Sequence, residues 1–258
     1  MFERFATAII RYFSRIGSLA SLLNFFTTRH DLLLESTAHG TTKSTSAKPL
    51  FIFILGAPGV GKGTISAFLK TAVPGLTHLS YGDLTRYYNK IPGSWVSSFP
   101  RRRGTNNPLL PARDAAAMLR ATIDTGVRKH GQRIWLLDGF PRTAEHVAEM
   151  VAQLPPPDCT LYLFCLPEVS MQRIAGRAAT SGRPDDANAA RVEERVARIN
   201  AESGAMLEAL EAAGMHIATV DANRDLETVK EEVLGHVQVG YFNINGLIQV
   251  RDLKIASY

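Results

Sequence analysis

The chain has 258 residues, of which 45% are hydrophobic, and it carries a formal net charge of +5 at pH 7 with a pI near 9.3. This length and apolar content favour one α/β domain with insertions over two independent folds. The positive charge alone does not indicate a nucleic-acid partner, because arginines around a nucleotide site and a basic leader would give the same balance.

Residues 1–48 form a leader and linker that are unlike the rest of the chain. Glu3 is the only acidic residue among the first 30, and arginines at positions 4, 11 and 15 share one helical face. The opposite face carries Phe5, Ile9, Phe13 and Ile16. A basic, acid-poor amphipathic helix is typical of a mitochondrial transit peptide, so we expect a mitochondrial protein. A surface helix kept in a cytoplasmic protein and a membrane-surface anchor remain alternatives, and no apolar run is long enough to span a bilayer.

A hydrophobic strand, a glycine-rich turn and a helical segment follow one another from residue 50 to residue 72. The turn reads Gly56-Ala-Pro-Gly-Val-Gly-Lys-Gly-Thr64. Glycines allow the backbone to fold around phosphate oxygens, while Lys62 and the helix amino terminus attract negative charge. The turn is therefore predicted to bind phosphate. Gly63 stands where the usual P-loop pattern has Ser or Thr, and the hydroxyl comes one residue later at Thr64.

Short apolar segments alternate with helical ones after residue 50, a pattern that predicts a mostly parallel sheet covered on both faces. The predicted strands are 50–55, 76–80, 133–138, 159–166 and 215–220. The predicted helices are 63–72, 112–128, 144–152, 168–177, 187–212 and 225–237. Both cysteines, Cys159 and Cys165, fall in one predicted strand, which indicates reduced core residues and no disulfide or zinc site.

Arginines recur after the predicted strand ends, where parallel sheets bind ligands. The segment Ser80-Tyr-Gly-Asp-Leu-Thr-Arg86 follows the second strand, and Asp138-Gly-Phe-Pro-Arg142 follows the third. A basic loop runs from Arg173 through Ser181-Gly-Arg-Pro-Asp-Asp186, and Arg195 lies on the next helix. Each arginine taken singly is more typical of a solvated surface. Their combination with a P-loop indicates a site for several phosphates.

These segments together resemble the adenylate kinase family of nucleoside monophosphate kinases, over about residues 50 to 237. The P-loop ending in Gly-Thr, the Gly-Asp-Leu-x-x-Arg and Asp-Gly-Phe-Pro-Arg segments and Ser-Gly-Arg-x-Asp-Asp occur in the family's order and approximate spacing. The resemblance implies a five-stranded parallel P-loop sheet with flanking helices over 49–237. It also implies an acceptor-binding insertion at about 81–112 and a short lid at about 177–187. Residues 238–258 then form a C-terminal extension.

The resemblance implies magnesium-dependent transfer of the γ-phosphoryl group from ATP to AMP, by a monomer with no nucleic-acid partner and no transmembrane segment. It assigns donor binding to Gly59, Val60, Gly61, Lys62, Gly63, Thr64, Arg173 and Arg177. It assigns acceptor binding to Tyr81, Arg86, Leu109, Leu110, Gly139, Arg142, His146, Arg183 and Arg195. It further implies that the catalytic cations are Lys62, Arg142, Arg177, Arg183 and Arg195, and that Asp138 orients Mg²⁺ through water.

Two positions depart from the adenylate kinase pattern at the acceptor base. Tyr81 stands where the family usually has Thr, and His146 stands where it has a Gln that can pair with adenine. A histidine can donate or accept a hydrogen bond. UMP, CMP or another nucleoside monophosphate is therefore the alternative acceptor. A catalytically weak ATP-binding module and a nucleic-acid-stimulated ATPase using the basic run 101–103 are the alternative functions.

Other sequence features carry less information. The run 101–103 is more typical of a solvated face than of a nucleic-acid contact. Asn245-Gly246 lies between two short apolar segments, 242–244 and 247–250, and predicts a β-hairpin.

Overall fold

A computed structural model describes residues 49–101, 108–178, 186 and 188–245, with side chains described as far as residue 238. Several sequence predictions lie outside the described residues. They are the leader and linker over 1–48, most of the lid including Arg183, and the chain after residue 245.

Five parallel strands form one sheet, as the sequence predicts. They are β1 (Leu50–Leu55), β2 (Leu76–Ser80), β3 (Ile134–Asp138), β4 (Cys159–Phe164) and β5 (Ile217–Asp221), and their spatial order is β2-β3-β1-β4-β5. The central strand β1 is buried at every position because both of its faces are covered. Ile54 pairs with Asp138 of β3 and with Leu161 of β4, so the residues that follow these strands emerge at one edge of the sheet.

Helices connect the strands and flank the sheet. They are α1 (Lys62–Ala72), α2 (Tyr81–Asn89), α3 (Ala112–His130), α4 (Ala144–Gln153), α5 (Pro167–Arg177), α6 (Ala189–Ala212) and α7 (Leu226–Asn245). A short 3-10 helix, Trp95–Ser98, lies between α2 and α3. One core cluster lies between the sheet and the helices α1 and α7, where Val229, Val233 and Val237 are buried at a spacing of four residues.

The structure differs from the sequence prediction in two places, at helix α2 and at the end of helix α7. Helix α2 is absent from the predicted elements, although Ser80 caps it by accepting a hydrogen bond from the Asp83 amide at 3.2 Å. The predicted hairpin strand over 242–244 is wrong, because α7 continues as a helix through Asn245. The predicted boundary at residue 238 therefore falls inside α7.

Cys159 and Cys165 are free thiols, as predicted. Burial, and the neighbouring Asp158 carboxylate to a smaller extent, raise the pKa of the Cys159 thiol to about 12. Cys159 is therefore protonated at neutral pH and behaves as a packing residue. Within the described ranges, no helix is both long enough and apolar enough to cross a bilayer.

Candidate active site

A cavity of about 740 Å³ collects the predicted site residues at the carboxyl edge of the sheet. Each predicted residue within the described ranges lines it, which leaves only Arg183 unassigned. These are Gly59, Val60, Gly61, Lys62, Gly63, Thr64, Tyr81, Arg86, Leu109, Leu110, Asp138, Gly139, Arg142, His146, Arg173, Arg177 and Arg195. Residues that are far apart in the sequence, such as Gly59 and Arg195, therefore line the same cavity.

The P-loop is held tightly against helix α5. Gly59 has a φ of +86°, a conformation that side chains with a Cβ rarely adopt. A Cβ at this position would lie 2.4 Å from the carbonyl oxygen of Ser170 and 3.0 Å from Cγ1 of Ile174. Glycine is therefore required at position 59 for both its backbone angle and its close contact with α5.

Helix α1 presents its amino terminus to the cavity. Its capping residue Gly61 provides no side-chain cap, so the amide groups of the first turn are available for an anionic ligand. Nζ of Lys62 donates hydrogen bonds to the carbonyl oxygens of Gly56 at 2.7 Å and Ala57 at 2.8 Å. The lysine therefore lies over the loop that the sequence predicts to bind phosphate.

Arg173 connects the P-loop to the turn after β5. Its Nη1 donates to the carbonyl oxygen of Val60 at 3.2 Å, and its Nη2 donates to that of Ala222 at 2.9 Å. These two bonds fix the plane of the guanidinium at the wall of the cavity. A fixed planar cation is suited to stacking on a purine ring.

Arg86 and Arg142 converge on one point beside α2. A Cβ placed on Gly82 would lie 3.4 Å from Nη1 of Arg86 and 3.4 Å from Nη2 of Arg142. Nε of Arg142 donates to the carbonyl oxygen of Gly139 at 2.8 Å, while Arg86 forms an ion pair with Asp83. Two converging guanidinium groups provide the fork geometry that binds a phosphate through several hydrogen bonds.

Aromatic side chains form the wall next to these arginines. The Arg142 guanidinium lies over the Tyr81 ring, 4.6 Å from its centroid. Tyr81 packs edge-on against Phe140, with centroids 5.4 Å apart, and Phe140 lies 5.0 Å from the His146 ring. Tyr81, which departs from the family pattern, therefore packs between Arg142 and Phe140 and lines the cavity.

Asp186 holds two cavity arginines together. It accepts hydrogen bonds from Nε of Arg177 at 3.0 Å and from Nη2 of Arg195 at 2.8 Å, and its side chain is 1% exposed. Burial by itself raises the pKa of the Asp186 carboxyl, but the hydrogen bonds from Arg195 and Arg177 outweigh it and lower the pKa below its ordinary value. Asp186 is therefore ionised at neutral pH. Arg191, which lies one turn earlier on α6, is exposed.

Asp138 stands at the carboxyl end of β3, and its Oδ2 lies 3.2 Å from Nε2 of His78 on the neighbouring strand. No three His, Cys, Asp or Glu side chains group as potential metal ligands in the described part of the chain. A single carboxylate fits Mg²⁺ that is held mainly by nucleotide phosphates and water. His78, which orients this carboxylate, was not predicted, because a histidine within a strand is more typical of a satisfied core position.

Two further arginines line the cavity and were missed in the sequence. Arg198 lies on α6, three residues after Arg195, and Arg224 follows β5. Arg224 donates from Nε to the carbonyl oxygen of Asp221 at 3.1 Å and pairs with Glu232. Both could have been found, Arg198 from its helical spacing to Arg195 and Arg224 from its place after a strand end.

Comparison with known proteins finds one matching family model and several similar kinases. Residues 55–193 match the family model described as an AAA domain. The UMP-CMP kinase of Gallus gallus is 30% identical over 191 residues, which are 72% of this chain and 96% of the relative. The uridylate kinase of Schizosaccharomyces pombe is 29% identical with the same coverage. Adenylate kinase 1 of Drosophila melanogaster is 32% identical over 185 residues, which are 71% of this chain and 77% of the relative.

Proposed function

The chain belongs to the adenylate kinase family of nucleoside monophosphate kinases, and we propose that its cavity transfers the γ-phosphoryl group of ATP to AMP. The observation that carries this proposal is the pair of phosphate sites in one cavity. The P-loop with Lys62 supplies one site, and the converging Arg86 and Arg142 supply the other. An enzyme that only hydrolyses ATP would not need the second phosphate site.

The donor nucleotide lies along the P-loop in this proposal. Lys62 and the first-turn amides of α1 bind its phosphates, with the hydroxyl of Thr64 next to them. Arg173 supports the adenine with the guanidinium plane that Val60 and Ala222 fix. Because these groups are already held in place, little reorganisation is needed when ATP binds.

The acceptor phosphate lies between Arg86 and Arg142, and one of its anionic oxygens attacks the γ-phosphorus. The bond from the γ-phosphorus to the β–γ bridging oxygen breaks, and ADP leaves. The attacking oxygen already carries negative charge, so the step needs no general base. Arg177 and Arg195, which Asp186 holds together, stabilise the charge on the group in transfer.

Asp138 is the residue that would hold the water ligands of a Mg²⁺ ion bound together with ATP. The bound ion supplies charge neutralisation at the donor phosphates. The chain contributes the position of the carboxylate, which is set by the register of β3 beside β1 and by the contact with His78.

Pyrimidine monophosphates are the second candidate acceptors. Tyr81 lines the cavity where the family usually has a smaller residue, and a smaller base needs less space beside it. The relatives from Gallus gallus and Schizosaccharomyces pombe are named as UMP-CMP kinase and uridylate kinase. Both points make a pyrimidine monophosphate the second candidate acceptor.

Steady-state kinetics with Mg²⁺-ATP and each of AMP, CMP, UMP and GMP test the proposal. We expect diphosphate formation that depends on both substrates, with AMP giving the highest kcat/KM. A preference for CMP or UMP would replace AMP by the second candidate. Hydrolysis of ATP to ADP and inorganic phosphate, with none of the four monophosphates phosphorylated, would overturn the kinase assignment for this site.

The leader supports a separate proposal, that residues 1–48 direct the protein to mitochondria. A fusion of these residues to a fluorescent reporter tests it. Mitochondrial signal is expected, and replacement of the arginines at positions 4, 11 and 15 by glutamine should abolish it. A diffuse cytosolic signal from the unchanged leader would contradict the proposal.

A further inference from the structure

Four basic residues lie within six positions where helix α3 turns into strand β3. The segment 128–133 has the sequence Arg-Lys-His-Gly-Gln-Arg, and all four of its basic residues are exposed, namely Arg128, Lys129, His130 and Arg133. Gly131 ends α3 in the left-handed conformation, with a φ of +64°, so the chain reverses directly into β3. The cations of the helix end and of the strand start therefore lie at the same edge of the sheet.

A further cation lies at this edge, and the segments that build it contain no carboxylate. Lys70 is exposed in the last turn of α1, and Leu76, which follows that helix, pairs with Ile134 at the start of β3. No Asp or Glu occurs in residues 36–82 or 125–137. The basic edge is defined by four residues, Lys70, Arg128, Lys129 and Arg133. Its positive charge is not balanced by acidic residues within these segments.

Two carboxylates on neighbouring segments have bonds of their own. Oδ2 of Asp124 lies 2.9 Å from Nε of Arg120 in an ion pair, and Oδ2 of Asp158 accepts a hydrogen bond from a strand amide at 2.7 Å. The helix dipole favours cations in the last turn of α3. It does not account for Arg133, which lies beyond the helix cap. The basic edge is therefore more than a helix-capping pattern.

The basic edge lies at the end of the sheet opposite the cavity. It borders the amino ends of β2 and β3, whereas the cavity lies beyond the carboxyl ends of the same strands. The chain also enters the domain at this edge, because the Leu50 amide donates to the carbonyl oxygen of Arg133 at 2.7 Å. The segment that precedes Pro49 in the sequence is the leader and linker, residues 1–48. The leader is thus attached to the domain at the basic edge.

We propose that the basic edge of the full-length chain binds the surface of an anionic lipid bilayer, with the cavity facing the solution. Each Lys or Arg close to such a surface strengthens binding about fivefold. Four cations give weak attachment by themselves, and stable attachment takes a second signal, such as an amphipathic helix whose apolar face enters the headgroup region. The leader supplies that signal with the apolar face predicted from its sequence, which carries Phe5, Ile9, Phe13 and Ile16. This apolar face suits a bilayer and not the phosphate backbone of a nucleic acid.

Sedimentation of the full-length protein with lipid vesicles tests the proposal on the unmodified chain. Vesicles of phosphatidylcholine alone are compared with vesicles that also contain about 30% phosphatidylglycerol. We expect binding to the anionic vesicles to be at least about tenfold tighter, and to weaken at least about fivefold when the salt is raised from about 0.1 M to about 0.5 M. Equal binding to neutral and anionic vesicles, or no binding to either, would overturn the proposal.

Two triple variants that lose the same charge separate the basic edge from the net charge of the protein. The first replaces three residues of the basic edge by glutamine, namely Arg128, Lys129 and Arg133. The control replaces three exposed residues at the carboxyl side of the sheet by glutamine, namely Lys90, Arg113 and Arg191. We expect the first variant to bind anionic vesicles at least about 20-fold more weakly and the control to stay within about threefold of the parent. Equal losses would show that only the overall charge matters and would contradict the proposal.

The contributions of the leader and of the fold are measured separately. Glutamine at positions 4, 11 and 15 of the leader should weaken vesicle binding, and adding the basic-edge substitutions should weaken it further. If the leader substitutions alone remove all binding, the basic edge has no role. Far-UV circular dichroism of the basic-edge variant should match that of the parent, because all three replaced side chains are exposed. Binding to a labelled RNA duplex that is tighter than binding to vesicles, and is lost in the basic-edge variant, would assign this edge to nucleic acid instead.

Discussion

Nη2 of Arg195 donates a hydrogen bond to Oδ1 of Asp186 at 2.8 Å, and both side chains are almost fully buried. Arg177 donates to the other oxygen of the same carboxylate. One acidic side chain therefore connects the end of helix α5 to helix α6 and keeps two guanidinium groups at the cavity. Without it, two like charges would lie close together with no anion between them.

Asp186→Asn should destabilise the protein at neutral pH by about 3 kcal/mol, because it removes the charge from a buried ion pair. Equilibrium urea unfolding measures this difference. The control Asp124→Asn removes an exposed pair with Arg120 and should cost less than about 0.5 kcal/mol. Equal effects of the two substitutions would contradict a structural role for the buried carboxylate.

The effect of Asp186 should also depend on pH. The pKa of its carboxyl in the folded protein lies below its ordinary value of 3.8. The stabilisation is therefore present above pH 3.8 and is lost as the pH falls through the lower, folded-state pKa. The difference in the free energy of unfolding between the parent and Asp186→Asn should stay constant from pH 7 to pH 5 and shrink below pH 3.8. A difference that grows on acidification would refute this assignment.

Lys62→Met should lower kcat/KM for ATP by about 100-fold or more, since it removes a cation from the donor phosphates while keeping the length of the side chain. Lys70→Met is the matched control, because Lys70 lies on the exposed face of the same helix. Initial rates at several ATP concentrations compare the two variants. Similar rates for both would show that Lys62 is not at the reacting phosphates.

Gly59→Ala should destabilise the protein by about 2 kcal/mol, because it combines a positive φ with a Cβ that would contact the Ser170 carbonyl oxygen. Gly63 lies close by in the first turn of helix α1, but a Cβ from Gly63→Ala would meet nothing within 4 Å. We expect it to change the stability by less than about 0.5 kcal/mol. Thermal unfolding of both variants checks the contrast, and a tolerated alanine at position 59 would contradict the tight packing of the loop on α5.

Arg142→Lys should raise KM for the acceptor at least about tenfold and leave the Kd for ATP unchanged. Lysine keeps the charge but loses the planar fork, the bond to the Gly139 carbonyl oxygen and the stacking on Tyr81. Arg120→Lys, on the exposed face of α3, serves as the control. Separate titrations of the acceptor and of ATP distinguish the two substrates. A change confined to ATP binding would place Arg142 on the donor side instead.

The sheet could be predicted from the sequence because its strands are apolar segments with clear ends. The unbroken run Leu50–Leu55 is buried on both sides, which only a central parallel strand satisfies. Helix α2 was not predicted because Gly82 lies in its first turn and the capping signal is the short Ser80–Asp83 pair. The strand predicted over 242–244 was wrong, because α7 begins far upstream at Leu226 and runs as a helix through Asn245.

The candidate site could be predicted where residues follow strand ends, and less well where a contact joins distant elements. Lys62, Arg86 and Arg142 belong to segments whose spacing is visible in the sequence. The contact of His78 with Asp138 depends on the register of two strands 60 residues apart. The hydrogen bond from the Arg142 amide to His146 depends on the backbone direction of one turn, and the residue types alone do not define that direction.

Transfer of a radiolabelled γ-phosphoryl group tests the central claim most directly. The enzyme is mixed with Mg²⁺ and ATP labelled at the γ-phosphorus, with or without AMP, and the labelled products are separated after a single turnover. We expect the label in the β-phosphate of the diphosphate formed from AMP, with little release as inorganic phosphate when AMP is absent. Label found only in inorganic phosphate, at the same rate with and without any of the four monophosphates, would contradict a two-substrate kinase site.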